Sequence, residues 1–268
     1  HACKARFKNV SQRANSSQSN IEHLPRHCVH KTNKKHIMAD RLTVSAALLW
    51  ISCALLASVH GHGMALDPIA RGSRWRCNPS ALPNYTDNEL FCGGFQVQWG
   101  THNGKCGVCG DNYGDARPRL HELGGPFGPG DIVRQYVRGS VIEARIRLTA
   151  NHRGYFYFDL CNLDVGGAED EACFSQYPLS LADGSRNWVL PSTAVGEYRI
   201  NLKLPDSLTC SHCIFRWTYV AGNNWGYCED GSGRLGCGPQ ETFKTCSDVR
   251  IVASNDINPS FAYCTKAV

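Results

Sequence analysis

Histidine gives this sequence its clearest capacity for metal chemistry, and His62 holds the most unusual position. It follows an apolar run that ends near Ala57 and small residues up to Gly61, as expected just after a signal-peptidase site. If the chain is cut between Gly61 and His62, the free α-amino nitrogen and ring Nδ1 of His62 can chelate one ion together. The amine, with a pKa near ~8, would lose its proton to the metal. The sequence therefore predicts a metal site that starts at His62 and needs a second histidine.

His152 is the candidate for that second ligand. It follows residues 140–150, in which apolar and polar side chains alternate as in a half-buried strand. Continued alternation would place His152 on the apolar side, at the end of the strand. Amine and imidazole nitrogens in a roughly planar arrangement suit copper(II), which stands at the top of the divalent affinity order. The other histidines after residue 61, each more often a surface or hydrogen-bonded residue than a ligand, are His102, His121 and His212.

The elements that must position these histidines lie after residue 61, because the preceding sequence has the character of a leader. Residues 1–37 are polar, basic and aperiodic, and we interpret them as upstream non-structural sequence before a start at Met38. Residues 38–61 carry Arg41 and then an apolar run shorter than the roughly 20 residues of a membrane span. We predict a signal peptide rather than a membrane anchor, and hence a secreted, extracellular protein.

Removal of that leader changes the charge balance. Residues 62–268 contain 19 Lys and Arg against 21 Asp and Glu, so the net charge of +5 for the whole sequence becomes slightly negative. No basic patch then favours nucleic acid. The remaining length fits one domain. We expect a catalytic domain at 62–252 with a short C-terminal tail at 253–268, monomeric and free of the membrane in its mature form.

Cysteine usage supports secretion. Twelve of the fifteen cysteines follow residue 61, an even number that predicts up to six disulfides with undetermined connectivity. The pairs Cys106/Cys109 and Cys210/Cys213 are C-x-x-C sequences, which would suggest zinc or redox sites in a cytosolic protein. Asn84 begins a glycosylation sequon in a loop-like stretch. We therefore expect a disulfide-bonded glycoprotein.

The hydrophobic pattern predicts an all-β protein. Residues 62–131 are rich in Gly, Pro, Asn and Cys and read as long loops that disulfides could staple. Strands are predicted at 140–150, 154–161, 197–204, 213–220 and 243–252, separated by turn-rich segments. No helical period of any length appears. Short strands at this spacing indicate an antiparallel β-sandwich.

Four segments, in the same order, resemble a known family. His62-Gly63 with Leu66-Asp67-Pro68 is similar to the start of a mature lytic polysaccharide monooxygenase of auxiliary activity family fifteen, prominent in arthropods. The segment 149–156 resembles the second-histidine motif of that family, and residues 218–226 and 237–248 resemble its C-terminal half. The match covers nearly all of residues 62–252.

This resemblance implies a fibronectin- or immunoglobulin-like sandwich that carries one copper ion. His62 would supply its amine and Nδ1, and His152 its Nε2. Phe243 would lie on the axial side, where relatives have tyrosine, so it would not coordinate. A rather flat face would dock on crystalline chitin or cellulose. With an external electron donor and peroxide or dioxygen, the enzyme would hydroxylate C1 or C4 at a glycosidic bond and so break it.

Two further residues are candidates for roles beside the copper. Glu241 precedes Phe243 by two residues and could hydrogen-bond an oxygen species or water there. Ala150 would leave room for a co-substrate. Simpler roles remain open: core packing for Phe243 and Ala150, and a solvated loop position for Glu241.

Other functions are also compatible with the sequence. A non-catalytic chitin-binding or cuticle protein would need only a disulfide-stapled aromatic surface. A zinc module on the C-x-x-C pairs is more distant. A glycoside hydrolase would need two carboxylates at a set separation, which the resemblance disfavours.

Overall fold

The computed structural model describes residues 62–264, which are built on two main β-sheets. The first sheet is antiparallel and has four strands in the order β1-β3-β8-β6. Their bounds are β1 His62–Asp67, β3 Val141–Ala150, β6 Ser180–Leu181 and β8 Gly196–Lys203. The second strand of this order, β3, is thus hydrogen-bonded to β1 on one side and to β8 on the other.

The second sheet has six strands. Along its main path the order is β2-β12-β9-β4-β5, with β7 paired to β4. The bounds are β2 Arg134–Val137, β4 Tyr155–Asn162, β5 Tyr177–Pro178, β7 Trp188–Val189, β9 Cys210–Val220 and β12 Thr242–Val252. All pairs are antiparallel except β2 and β12, which run parallel. The all-β sandwich expected from the pattern is confirmed.

One hydrophobic core fills the space between the two sheets. The apolar positions of β3 that alternation predicted, such as Ile146 and Leu148, are buried in it. The large rings come mainly from the other sheet: Phe156 on β4 packs edge-on against Trp217 and Tyr219 on β9, with centroids 5.3 and 5.1 Å away. Edge-to-face pairs of this kind add about 0.5–1.5 kcal/mol beyond their buried area.

The remaining elements are short. A disulfide-closed hairpin is formed by β10 Trp225–Tyr227 and β11 Gly233–Leu235. The helical segments are 3-10 turns at Arg71–Arg76, Leu163–Val165 and Ser254–Asp256, a π-helix at Gln96–Thr101, and one α-helical turn, α1, at Glu171–Phe174. Within the described residues, no helix is both long and apolar enough to cross a membrane.

Six disulfides pair all twelve cysteines of residues 62–264, as the cysteine count predicted. The bonds are Cys77–Cys264, Cys92–Cys106, Cys109–Cys246, Cys161–Cys173, Cys210–Cys213 and Cys228–Cys237. The first C-x-x-C pair is therefore split between two bonds, whereas the second closes on itself. No free thiolate is left among these cysteines for the zinc module considered from the sequence.

Residues 62–131 were predicted to be loops, and this prediction is wrong for the first six of them. His62–Asp67 is a strand, paired to β3. Four consecutive residues of this strand, 63–66, are buried, so it lacks the alternation by which half-buried strands are recognised. The predicted upstream sequence 1–37 and signal peptide 38–61 lie outside the described residues.

Asn84 of the sequon is buried rather than exposed, and the C-terminal tail is attached to the domain. Asn84 is only 7% exposed, and its Nδ2, the atom a glycan would occupy, lies 3.0 Å from His121 Nε2. The tail is joined to the domain by Cys77–Cys264, and Tyr263 packs against Ile69 and Val133.

Candidate metal centre

The pairing of β1 with β3 brings the two candidate histidines to the same end of one sheet. His62 lies opposite Ala150, the last residue of β3, and His152 follows two residues later. The next pair is Gly63 with Leu148, so Thr149 is an extra residue and forms a β-bulge. Bulges bend a strand and re-aim its side chains, often beside functional sites.

Strand β9 and the turn that follows it fix the backbone of His152. Its N–H donates to the Tyr219 hydroxyl at 2.8 Å, and its carbonyl accepts from Gly222 N–H at 2.9 Å. The chain then turns through Gly154, whose φ is +87°. A Cβ there would lie 2.0 Å from the Val220 carbonyl oxygen, so only glycine fits.

The ring of His152 is largely buried and has polar neighbours. The residue is 8% exposed. Its Nδ1 lies 2.8 Å from Asn223 Nδ2 and 3.9 Å from Glu241 Oε2. Glu241 is itself buried, so the solvated loop position considered from the sequence is wrong. The imidazole of His152 and the carboxylate of Glu241 therefore lie close together, both largely out of solvent.

His62 has a more open environment. Its Nε2 lies 3.5 Å from Glu89 Oε1, and both side chains are partly exposed. Gly63 N–H donates to the Asn88 carbonyl, and the Asn88 side chain donates to Thr149 Oγ1. The loop that contains Asn88 and Glu89 therefore supports both His62 and the bulge opposite it.

Aromatic rings form the wall behind the histidines. Phe243 is fully buried and lies opposite Tyr219 in the β12–β9 pairing, with the rings stacked at 5.5 Å. Phe91 packs edge-on against Phe243 at 6.1 Å. Burial raises the pKa of the Tyr219 phenol, which the hydrogen bond from His152 N–H only partly offsets. Tyr219 therefore stays protonated and serves as a neutral support.

The structure thus brings together most of the residues singled out from the sequence. His62, Ala150, His152 and Glu241 are linked by strand pairing or by contact, and Phe243 packs on Tyr219, which holds His152. Sequence reasoning missed Tyr219, Asn223 and Glu89. The first two lie in the segment 218–226 that carried the resemblance, but no spacing rule pointed to their contact with His152.

This donor set fits the copper site expected from the sequence. Imidazole nitrogens are ligands that copper favours, and buried aromatic rings on one side would shield the ion from water. Within residues 62–264, another group of three potential metal ligands is formed by Cys109, Glu169 and Cys246. Its two sulfurs are bonded to each other, so that group offers no thiolate.

Comparisons with known proteins show what this chain is similar to. A family described as "lytic polysaccharide mono-oxygenase, cellulose-degrading" matches residues 62–249. A solved structure of lytic polysaccharide monooxygenase AA15 from Thermobia domestica in the Cu(I) state is 43% identical, with a TM-score of 0.69, over 71% of this chain and 98% of that chain. A chitin binding domain from Burkholderia pseudomallei is 12% identical over 72% of this chain and 100% of that chain, with a TM-score of 0.43. The chain has no significant match among curated proteins.

Proposed function

The chain belongs to the lytic polysaccharide monooxygenases of auxiliary activity family fifteen, and from that premise we propose that it cleaves chitin or cellulose oxidatively. The family implies a copper-dependent oxidative enzyme. The observation that supports this activity most directly is the β1–β3 pairing, which puts His62 opposite Ala150 and two residues from His152. This pairing supports the proposal because the two histidines expected to bind copper lie at the same end of one sheet.

Copper would be held by three nitrogens: the α-amine and Nδ1 of His62, and Nε2 of His152. The amine is a ligand only if secretion removes residues 38–61 and leaves His62 first. The contacts are compatible with this arrangement, because Glu89 approaches His62 at Nε2 and Asn223 approaches His152 at Nδ1. These are the ring nitrogens that the metal would not use.

When bound, copper supplies the redox chemistry by which peroxide or dioxygen, with electrons from an external donor, hydroxylates C1 or C4 of a sugar ring. The protein's own residues set the surroundings. Phe243 would border the metal with a ring that has no donor atom, and the small side chain of Ala150, paired with His62, would leave room for a co-substrate. Glu241, buried beside His152, would hydrogen-bond an oxygen species or a water.

The polymer would dock across the loops that flank the two histidines. Tyr85, four residues before Glu89, is highly exposed and stacks edge-on against Trp75 at 5.2 Å. The hairpin that follows Asn223, which contacts His152, exposes Trp225 and Tyr227. Aromatic faces suit the apolar faces of sugar rings, since they bury area with little loss of conformational freedom.

The decisive experiment uses secreted protein whose N-terminus has been read by mass spectrometry. With copper, a reductant and peroxide, chain starting at His62 should release oligosaccharides with oxidised ends from chitin or cellulose. Two variants should lose this activity: His152→Ala, and a chain with one extra residue before His62. His102→Ala, which changes a histidine in the loop after the π-helix, should keep it.

Two outcomes would overturn the proposal. Release of only unoxidised oligosaccharides from both polymers would favour hydrolysis instead. Binding to chitin with no product at all, from copper-loaded protein, would favour the non-catalytic chitin-binding protein.

A further inference from the structure

We propose that Asn223 is a positioning residue, whose side chain holds the ring of His152 by Nδ1 and so presents Nε2 to the metal. The 2.8 Å contact between Asn223 Nδ2 and His152 Nδ1 carries this inference. The inference rests on the proposed function for the identity of the metal. Its prediction about the ring itself applies to the metal-free protein as well.

The backbone of His152 is already fixed, so the ring is what remains to be oriented. The N–H bonds to Tyr219 and the carbonyl to Gly222, both from β9 and the turn after it. These bonds place the Cα but leave rotation about the two side-chain torsions. Asn223 is the next residue after Gly222, so the same turn that fixes the backbone also reaches the ring.

The position of Asn223 is set by its own neighbours. The N–H of Asn224 donates to Gln240 Oε1 at 3.0 Å, and the carbonyl of Asn224 accepts from Gly236 N–H at 2.9 Å. The turn is thus tied to the segment before β12 and to the far side of the hairpin. A side chain on such a turn is held in place and can fix the orientation of the ring.

The contact can also be kept when copper binds at Nε2. A neutral imidazole has one N–H, and a metal at Nε2 leaves the hydrogen on Nδ1. An N–H at Nδ1 needs an acceptor, and a half-turn of the Asn223 amide puts its oxygen where the nitrogen lies, with little change of shape. Glu241 Oε2, at 3.9 Å, is beyond hydrogen-bond distance. Asn223 can therefore partner Nδ1 in either tautomer: its N–H donates to a bare Nδ1, or, after the half-turn, its oxygen accepts from Nδ1–H and leaves Nε2 free to bind.

The test compares four forms of the protein starting at His62: the parent, Asn223→Ala, Asn223→Asp and Asn224→Ala. Asn224→Ala is the matched control, because the bonds of Asn224 described above are made by its backbone. The first readout is the tautomer of His152 in copper-free protein, from ¹⁵N NMR of the ring nitrogens under mildly alkaline conditions. Asn223→Asp, whose carboxylate only accepts, should hold the hydrogen on Nδ1. The parent and Asn224→Ala should share one tautomer ratio, and Asn223→Ala should depart from it.

The second readout is copper affinity, from competition with a chelator of known strength. Loss of an outer hydrogen bond to a ligating histidine commonly weakens metal binding by about 10- to 100-fold. We expect a loss of that size for Asn223→Ala, recovery to within about threefold for Asn223→Asp, and no change for Asn224→Ala. The EPR spectrum of copper-loaded Asn223→Ala should also differ from that of the parent.

The outcomes separate this inference from the proposed function. If Asn223→Ala keeps both the parent's tautomer ratio and the parent's copper affinity, Asn223 does not position the ring, whatever the enzyme does. If the parent itself fails to bind copper, the proposed function is wrong, and the tautomer measurement still decides the role of Asn223. Equal losses in Asn223→Ala and Asn224→Ala would point to a disturbed turn and would overturn the specific role.

Discussion

At the residue scale, a substitution of Phe243 can show whether the ring at this position affects copper binding or only the packing of the core. Its ring is fully buried between Tyr219 and Phe91 and offers no donor atom. We predict that Phe243→Tyr keeps copper bound within about threefold, since nitrogen ligands dominate the affinity. The added hydroxyl should lower the free energy of unfolding by about 1–3 kcal/mol if it finds no partner. Copper titration and guanidinium unfolding measure the two effects.

Phe158→Tyr provides the control for that substitution. Phe158 is also fully buried, on β4, where it packs against Phe215 rather than against the rings behind the histidines. It should show a similar loss of stability with an unchanged copper EPR spectrum. A spectral shift confined to Phe243→Tyr would mean that the phenol approaches the metal. Loss of copper by more than tenfold would contradict the non-coordinating role.

The second prediction at this scale concerns glycosylation at Asn84. Its Oδ1 accepts from Thr86 N–H and Oγ1, and its Nδ2 contacts the His121 ring in the interior. A glycan on Nδ2 cannot be accommodated there, so we predict that secreted, folded protein carries none at this sequon. Intact mass before and after glycosidase treatment checks this. A glycan on folded, active protein would contradict the buried placement of Asn84.

Individual residues differ in how far sequence alone could identify them. His62 and His152 could be predicted because a cleavage pattern and a strand pattern each end at one of them. Asn223 and Glu89 could not, because each lies far along the chain from the histidine it contacts and in a loop without periodicity. Such contacts depend on sheet pairing, which local spacing does not encode.

At the element scale, β3 could be predicted from its local sequence pattern, whereas β1 could not. The strand β3 was predicted to within one residue of its bounds because alternate residues face the core and solvent. In β1, Gly63 is pressed against the core, and a Cβ there would lie 2.6 Å from Leu148 Cδ2 and 2.9 Å from the Trp217 ring. A strand buried on both faces shows no alternation, so its composition resembles that of a loop.

The β10–β11 hairpin carries a prediction about substrate binding. Trp225 and Tyr227 are 59% and 70% exposed, and the Trp225 ring lies over Gly233, where a Cβ would come within 2.5 Å. Exposed rings held on a disulfide-closed hairpin suit a docking surface. We predict that Trp225→Ala weakens binding to insoluble chitin or cellulose by about tenfold, which corresponds to about 1.4 kcal/mol. Pull-down isotherms measure it.

Copper affinity should remain unchanged in Trp225→Ala, which separates docking from metal binding. Val141→Ala is the matched control, because Val141 is equally exposed but begins β3. At about 3.3 Å per residue, it lies roughly 30 Å from Ala150 at the other end of the strand. Equal losses of binding in the two variants would contradict a specific docking role for the hairpin.

At the scale of the whole molecule, loops and sheets are joined by disulfides and by buried charge networks, one of which is centred on Arg71. The disulfide bonding of all twelve cysteines after residue 61 could be predicted from their even number, whereas the pairing depends on the fold. The network could not be predicted at all. Arg71, in the 3-10 turn after β1, contacts Asp248 on β12 at 2.6 Å and Glu169 at 2.5 Å. These three residues come from distant parts of the sequence.

Removal of Arg71 should therefore cost far more than removal of a surface charge. Arg71→Met leaves two buried carboxylates without their cation, which typically costs about 3–5 kcal/mol of unfolding free energy. Arg199→Met breaks only the exposed pair with Glu143 and should cost less than about 1 kcal/mol. Guanidinium unfolding at neutral pH measures both. A loss below about 1 kcal/mol for Arg71→Met would contradict a stabilising role for the network.

The pH dependence of that difference provides a further check. Burial raises the pKa of Asp248, but hydrogen bonds from Arg71 and His212 outweigh it and hold the pKa below its usual value. A carboxyl with a depressed pKa stabilises the fold above its unfolded value of ~3.9, and this contribution is lost as pH falls through the folded pKa. Without Arg71 the carboxyls of Asp248 and Glu169 take up protons at a higher pH than they do in the parent. As pH falls, the variant therefore loses the cost of its unpaired buried charges. The gap in stability between the parent and Arg71→Met should narrow as pH falls from about 6 towards 3, and a constant gap would place its origin in packing rather than charge.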